Sequence, residues 1–155
     1  QRFADEVRPM IEKYVSLSID GQEYTSYDVI SMWLNQYSDE TDVNAIHVHE
    51  GDLSCVYYLN DVTLPETSDK LKIRDRSRAT GVGNGSTVFM TATKYTGNAY
   101  SYPVVGEKGM IILFPAQLPH MVYPMKYPKP RRTGSANFTL TAVNDIQVDD
   151  AEENV

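Results

Sequence analysis

Histidine is the residue type through which this chain could do chemistry, and its 155 residues contain three, His47, His49 and His120. His47 and His49 are spaced i, i+2 in a segment with strand character, so both rings should project from one face of a sheet. His120 follows a short apolar run that ends in prolines. Two imidazoles from one strand and a third from a distant one can bind one face of a metal ion. The remaining positions stay open for substrate or oxygen, as a catalytic iron site requires.

Residue type does not name the metal, because neutral imidazole binds Fe, Zn, Cu and Ni alike. The alternative is that the three histidines are solvent-facing or core side chains with no shared role. Two carboxylates, Glu50 and Asp52, lie close by in the sequence. On a regular strand Glu50 points away from both neighbouring histidines, and it becomes a ligand only if the strand ends or bulges there.

The elements that must position these histidines are predicted to be short strands. Eleven tyrosines, eight prolines and nine glycines favour strands and turns over long helices. Beyond residue 40 the β-rich segments cover residues 46–48, 55–59, 86–95, 110–114 and 138–143. Residues 29–37 fit both a helical and a strand period, and we favour a strand. The polar segment 64–85, with three glycines near its end, predicts a long mobile loop.

The amino-terminal segment is the exception, because its apolar residues have the spacing of one helical face. These residues are Phe3, Val7, Met10, Ile11 and Tyr14. Since proline is tolerated in a first turn, Pro9 predicts that the helix begins near it. A turn signal at Asp20-Gly21 predicts a hairpin over residues 17–24.

Length and charge limit the classes of function. The length of 155 residues suits a single domain, which we place at 1–155, with a core over about 28–143 and an acidic tail at 144–155. The net charge of −7 argues against a nucleic-acid partner, and the apolar runs are too short to span a membrane. The single cysteine, Cys55, excludes an internal disulfide and suits a reducing compartment, so we predict a cytoplasmic protein.

Five short motifs follow one another along the chain. They are W-x-N at 33–35, N-x-x-H-x-H at 44–49, L-S-x-V-x-Y at 53–58, G-x-x-x-x-F-P at 109–115 and H-x-V at 120–122. This ordered series resembles the iron(II)/2-oxoglutarate oxygenases of bacteria and tailed phages over roughly residues 28–143. Residues 58–62 also resemble the Y-L-N-D-V segment of prolyl 4-hydroxylases. The resemblance to that branch ends at residues 64–67, where those enzymes have G-G-x-T.

The resemblance implies a mainly β fold, a double-stranded β-helix of the jelly-roll or cupin-like kind, preceded here by the amino-terminal helix. It also implies that His47 and His120 are the first and last ligands of Fe(II). His49 stands where the usual H-x-D/E…H triad has its carboxylate. Either three imidazoles hold the iron, or His49 lies behind the ligands and Glu50 or a water completes the site. Three imidazoles carry one negative charge fewer, which should weaken Fe(II) binding.

The resemblance further implies 2-oxoglutarate as co-substrate, with its distal carboxylate bound by an arginine on a late core strand. Arg131 is the first candidate and Arg132 the second. On a strand, Arg131 shares a face with Thr133, Ser135 and Asn137, similar to the R-x-S-x-S-x-N spacing of the family. An arginine can bind a carboxylate through two parallel hydrogen bonds. Tyr58, by its match to the prolyl hydroxylase segment, is a candidate second donor. The alternative is that these arginines belong to a solvated turn with Lys126 and Lys129.

The predicted activity is that of an Fe(II)- and 2-oxoglutarate-dependent dioxygenase that uses O2 to hydroxylate an unidentified substrate, for which a protein side chain is one candidate. One alternative is a cupin-like metal enzyme that uses the same histidines without 2-oxoglutarate. The other is a jelly roll that has lost catalysis and serves as a binding or virion-associated module, a hypothesis that the missing carboxylate ligand supports.

Overall fold

The computed structural model describes residues 2–18, 24–39, 41–62, 85–92, 99–124 and 130–142. This part of the chain forms one helix followed by strands. The elements are α1 (Arg2–Ser18), β1 (Tyr24–Tyr37), β2 (Asn44–His47), β3 (Leu53–Tyr58), β4 (Thr87–Ala92), β5 (Ala99–Val104), β6 (Ile111–Pro115), β7 (His120–Val122) and β8 (Arg131–Ala142).

The strands form two four-stranded antiparallel sheets. The first sheet has the order β1-β8-β3-β6 and the second has the order β2-β7-β4-β5. An apolar cluster draws members from both sheets, including Val56 of the first and Phe89 and Val122 of the second. Two sheets that bury their apolar faces against each other satisfy the requirement for a core. The predicted mainly β, jelly-roll architecture with an amino-terminal helix is confirmed.

Helix α1 has the predicted apolar face, but the predicted start near Pro9 is wrong. The helix begins at Arg2, so Pro9 lies inside it. An internal proline costs about 3 kcal/mol, because it removes one backbone hydrogen bond and its ring clashes with the preceding turn. Val7 and Ile11 are buried in a cluster with residues of the first sheet, and burial of each stabilises the fold by about 1.5–3 kcal/mol. Packing of the apolar face therefore offsets the proline.

Strand β1 resolves the ambiguity of residues 29–37 in favour of a strand, as predicted. It pairs with β8 along its length, so that Trp33 lies opposite Ser135 and Tyr37 lies opposite Arg131. Directly opposite residues of an antiparallel pair share one face of the sheet. The inward faces of β1 and β8 therefore present aromatic and polar side chains together.

Several other predictions can be compared with the described residues. The strands predicted at 55–59, 86–95, 110–114 and 138–143 correspond to β3, β4, β6 and the end of β8, whereas β5 and β7 were not predicted individually. Residues 17–18 are helical, so the first arm of the predicted hairpin is wrong, and its turn lies outside the described residues. The predicted loop 64–85, apart from Gly85, and the predicted tail 144–155 also lie outside them. No helix in the described ranges is both long enough and apolar enough to cross a bilayer.

Candidate metal centre

The three histidines come together at one end of the second sheet. His47 is the last residue of β2 and His120 the first of β7, and the two are paired across the ladder. Their ring centroids are 4.3 Å apart. The His49 ring lies 4.9 Å from each of the other two. Residues widely separated in the chain therefore form a single imidazole cluster.

His49 lies beyond the end of β2 and is held there by its backbone. Its N–H donates to the carbonyl of Ala116 at 2.8 Å, and its carbonyl accepts a hydrogen bond from Nε2 of Gln117 at 2.8 Å. The prediction that both rings of the H-x-H motif share a strand face therefore needs a correction. The strand ends at His47, and backbone contacts with the loop after β6 bring His49 beside it.

The candidate ligand atoms of the three rings all lie within 4.8 Å of one another. Two imidazole nitrogens bound to one cation at about 2.1 Å can be at most about 4.2 Å apart, so small ring rotations would complete the site. Glu50 is exposed and does not belong to this group, although the strand ends before it. Within the described residues, the donors that fit a shared cation are therefore three imidazoles.

Backbone carbonyls orient two of the rings. Nδ1 of His47 lies 2.6 Å from the carbonyl of Ala45, and Nδ1 of His120 lies 2.9 Å from the carbonyl of Leu118. Because a carbonyl can only accept, each Nδ1 must carry the proton. The lone pair of each ring is then on Nε2. That of His120 is available to a metal, whereas that of His47 accepts a hydrogen bond from Nδ2 of Asn44 at 3.3 Å, which a bound cation would replace.

Burial keeps two of the rings in the form that binds metals. It lowers the pKa of His120 to about 4, an effect that the hydrogen bond to Leu118 opposes and the neighbouring His47 and His49 reinforce. Burial also lowers the pKa of His49, and the nearby His47 adds to this. Both rings are therefore neutral at neutral pH, and metal binding there requires no loss of a proton.

The imidazole cluster forms one wall of a cavity of about 170 Å³ between the two sheets. The residues that line it are Trp33, Asn35, Tyr37, Asn44, His47, His49, Val56, Thr87, His120, Val122, Arg131, Thr133 and Ser135. None of these lining residues is an aspartate or glutamate. The formal positive charge of Arg131 is therefore not balanced by a carboxylate in the cavity wall.

Arg131 is the most unusual residue of the cavity, because its charged side chain is only 2% exposed. Nη2 donates to Oγ1 of Thr87 at 2.9 Å and Nη1 donates to Oγ1 of Thr133 at 3.3 Å. Nε is buried without a hydrogen-bond partner. The guanidinium carbon lies 5.1 Å from the ring centre of Tyr37 and 5.2 Å from that of Tyr58, within the range of cation–π attraction.

A buried guanidinium with an unused donor is costly unless an anion pairs with it. In the described part of the chain, the guanidinium of Arg131 contacts hydroxyls and aromatic rings. A small carboxylate that entered the cavity would supply the missing negative charge and accept hydrogen bonds. The cavity therefore combines donors for a cation on one wall with a cationic group for an anion on another.

The other two residues predicted to bind the co-substrate, Arg132 and Tyr58, do not line the cavity. Arg132 is exposed on the opposite face of β8, where its Nε donates to Oε1 of Gln36 at 2.9 Å. Tyr58 is fully buried and does not line the cavity. Its hydroxyl is hydrogen-bonded to Oγ1 of Thr87 at 2.7 Å. Arg131 is thus directed into the cavity, Arg132 away from it, and Tyr58 reaches it through Thr87.

Sequence reasoning assigned no role to several residues that line the cavity, among them Tyr37, Asn44 and Thr87. Tyr37 was predictable, because it follows Trp33 and Asn35 at the next position on the same face of β1. Asn44 was part of a motif, and its Nδ2 lies 3.3 Å from Nε2 of His47. Thr87 carried no signal, because a threonine in a strand is ordinary.

Comparison with known proteins gives a family and a fold. Residues 31–137 match the model of a family described as "Putative 2OG-Fe(II) oxygenase". No curated protein sequence matches the chain.

Three solved structures illustrate the likeness in fold. A prolyl-4-hydroxylase from Pseudomonas putida is similar at a TM-score of 0.54 and 16% identity, over 89% of this chain and 62% of that one. An oxidoreductase of the 2OG-Fe(II) oxygenase family from Burkholderia pseudomallei gives 0.52 and 11%, over 83% and 50%. The nickel complex of the non-heme monooxygenase ThoJ gives 0.51 and 14%, over 85% and 50%. The chain spans between half and two thirds of the length of these proteins.

Proposed function

The chain belongs to the 2OG-Fe(II) oxygenase family whose model it matches, and from this premise we propose that it is an Fe(II)- and 2-oxoglutarate-dependent dioxygenase. We assign His47, His49 and His120 as the metal ligands and Arg131 as the residue that binds the distal carboxylate of 2-oxoglutarate. Arg132 would take that role only with a shift of register, and Tyr58 would support the carboxylate through Thr87.

The observation that carries this proposal is the composition of a single cavity. Three imidazoles with ligand atoms within 4.8 Å of one another lie on one wall, and a buried arginine with an unpaired Nε lies on another. A dicarboxylate that binds a cation at one end and an arginine at the other matches both features.

The donor set fits a divalent first-row metal, because neutral imidazole binds Fe(II) among others. Fe(II) and 2-oxoglutarate together would supply the oxidation of a C–H bond by O2, in which the co-substrate becomes succinate and CO2. Because the three donors are neutral, the cation keeps its full charge. We therefore expect Fe(II) alone to bind weakly and 2-oxoglutarate to strengthen its binding.

The residues of the chain have separable tasks in this proposal. The backbone carbonyls of Ala45 and Leu118 fix which ring nitrogen faces the cation. Arg131 fixes the distal carboxylate, and its burial excludes competing water from that end of the cavity. Thr87 holds the guanidinium in place by accepting its Nη2–H at 2.9 Å. Orientation of the co-substrate thus comes from groups that are positioned before it binds.

The test is an anaerobic titration of the protein with Fe(II) and 2-oxoglutarate, followed by admission of O2. A weak visible metal-to-ligand band should appear in the wild type and be lost in His120→Ala. Succinate should then form as O2 is consumed. Failure of the band to appear in the wild type, or its persistence in His120→Ala, would contradict the ligand assignment. Oxygen uptake without succinate would instead favour a metal enzyme that does not use 2-oxoglutarate.

The substrate and the compartment are the remaining parts of the proposal. The structural neighbour from Pseudomonas putida is a prolyl-4-hydroxylase, and we propose a protein side chain as the substrate class here. Mass spectrometry of candidate proteins after incubation should show the gain of one oxygen atom. Cys55 is a free, buried thiol, which suits the reducing environment of the cytoplasm.

A further inference from the structure

We propose that Trp33 is a positioning residue for His49, and that it supplies the orientation which hydrogen bonds supply to the other two histidines. The inference rests on the metal centre of the proposed function. The indole ring lies 5.3 Å from the His49 ring, centroid to centroid, with the two planes at 51°. Trp33 also lines the cavity.

The three imidazoles are not held in the same way. His47 and His120 each have Nδ1 at hydrogen-bond distance from the carbonyl two residues earlier in the chain. The His49 ring makes no such hydrogen bond to the carbonyl of His47, which is the residue two positions before it. Among the described residues, the ring of His49 makes contacts with other rings and no hydrogen bond, although its backbone is anchored at both ends. Its χ angles are therefore set by packing.

Trp33 is suited to this packing because its own position is fixed. It lies in the middle of β1, opposite Ser135 of β8, and the indole is half-buried. Together with the His47 ring, whose plane is at 86° to that of His49, it contacts the His49 ring. An imidazole that is already ordered loses less rotamer entropy when a cation binds.

The consequence is that Trp33 should act on the metal through His49. Residues that orient metal-bound imidazoles typically change metal affinity by about 10–100-fold when they are replaced. We expect Trp33→Ala to raise the Kd for Co(II) by about tenfold. This is at the low end of that range, because His49 is oriented by a ring contact and not by a hydrogen bond. The d–d spectrum of bound Co(II) should shift as well, since the third ligand is displaced.

A double-mutant cycle tests this directly, with Co(II) as the probe and absorbance and calorimetry as readouts. The proteins are the wild type, Trp33→Ala, His49→Ala and the double variant. If Trp33 acts through His49, Trp33→Ala should change the Kd by less than about twofold in the His49→Ala background. An equal change in both backgrounds would overturn the proposal, because Trp33 would then act on the fold as a whole.

Two further variants separate the ring contact from apolar volume. Trp33→Phe keeps a ring against His49 and should restore the affinity and the Co(II) spectrum. Trp33→Leu keeps apolar bulk without a ring and should restore neither. This pair also tests the proposal if Trp33→Ala does not fold. Equal affinities for the two variants would contradict it. Leu34→Ala is the matched control, because Leu34 is the next residue of β1 and is 78% exposed.

The single tryptophan of the chain adds a readout that does not depend on affinity. Co(II) bound at the three histidines should quench Trp33 fluorescence in the wild type and not in His120→Ala. Failure of the wild type to bind Co(II) at all would overturn the metal centre and this inference with it. Normal Co(II) binding in the wild type and in every Trp33 variant would overturn the inference alone.

Discussion

Asn60 is hydrogen-bonded to the backbone on both sides of Arg131. Its Nδ2 donates to the carbonyl of Pro130 at 2.8 Å, and its Oδ1 accepts the backbone N–H of Arg132 at 2.8 Å. The N–H of Leu59 also donates to the carbonyl of Arg132 at 3.0 Å. The side chain of Asn60 thereby extends the β3–β8 ladder to the residue whose guanidinium enters the cavity.

Replacement of Asn60 by alanine should loosen that end of β8. The two hydrogen bonds to the β8 backbone, of about 0.5–1.5 kcal/mol each, are lost together with an exposed one to the carbonyl of Asp61 at 3.0 Å. The free energy of unfolding should therefore fall by at least about 1–3 kcal/mol. The Kd for 2-oxoglutarate should rise by about fivefold or more, the equivalent of about 1 kcal/mol, while the Kd for Co(II) alone should stay unchanged. Urea unfolding and calorimetry measure these quantities. The control is Gln36→Ala, which removes exposed side-chain contacts to Arg132 and Ser38 and leaves the Asn60 bonds intact. Equal effects of the two variants on 2-oxoglutarate affinity would contradict the expectation.

Arg131→Met should separate stability from co-substrate binding. Because a buried charge without a counter-ion is unfavourable, an apolar residue of similar volume should leave the free energy of unfolding unchanged or raise it by about 1–4 kcal/mol. In the wild type, 2-oxoglutarate with Co(II) should raise the Tm, since a ligand at 100 times its Kd stabilises the folded state by about 2.7 kcal/mol. That increase should disappear in Arg131→Met.

Arg132→Met is the matched control for this experiment. It changes the same residue type at the next position of β8, where the side chain is exposed. The increase in Tm with 2-oxoglutarate should persist in this variant. Loss of the increase in Arg132→Met, with retention in Arg131→Met, would show that the two arginines had been assigned the wrong way round.

Gly106 should not tolerate a side chain, because the ring of Tyr58 packs directly against it. A Cβ at this position would overlap ring carbons of Tyr58. Gly106→Ala should therefore displace that ring from Thr87, destabilise the protein by about 1–3 kcal/mol, and weaken 2-oxoglutarate binding. Gly134→Ala is the control, because the nearest atom to its Cβ would be 3.7 Å away. Thermal melts of both variants, with and without 2-oxoglutarate, make the comparison. Equal losses in both would rule out the Tyr58 contact as the cause.

Acid should destabilise the metal-free protein through His120. The pKa of this ring is lowered from its ordinary value of 6.5 to about 4. As pH falls below 6.5, the unfolded chain takes up a proton at this position while the folded protein does not, so stability falls until pH reaches about 4. The slope due to one group is at most about 1.4 kcal/mol per pH unit. Urea unfolding with a chelator, from pH 7.5 to 4.5, should give a smaller slope for His120→Gln than for the wild type. Identical slopes would contradict the burial of a neutral ring.

Strand periodicity accounts for the parts of the structure that could be predicted. Period-2 alternation predicted that Arg131 and Arg132 lie on opposite faces, and the structure places one in the cavity and the other in solvent. The pattern at residues 29–37 favours a strand, which β1 confirms. The predicted start of α1 is wrong. The preference of proline for a first turn is a local effect, whereas the burial of Val7 and Ile11 depends on contacts with the first sheet.

Residue order and covalent geometry are enough to establish which donor groups exist, how the histidines of the H-x-H motif are spaced, and which side chains alternate along β8. The packing of distant strands is needed to establish that His120 lies opposite His47, that Thr87 links Tyr58 to Arg131, and that Trp33 packs on His49. Those relationships depend on the order and register in which distant strands pair. Because that pairing depends on burial of the whole core, it cannot be inferred from the residues around any one position.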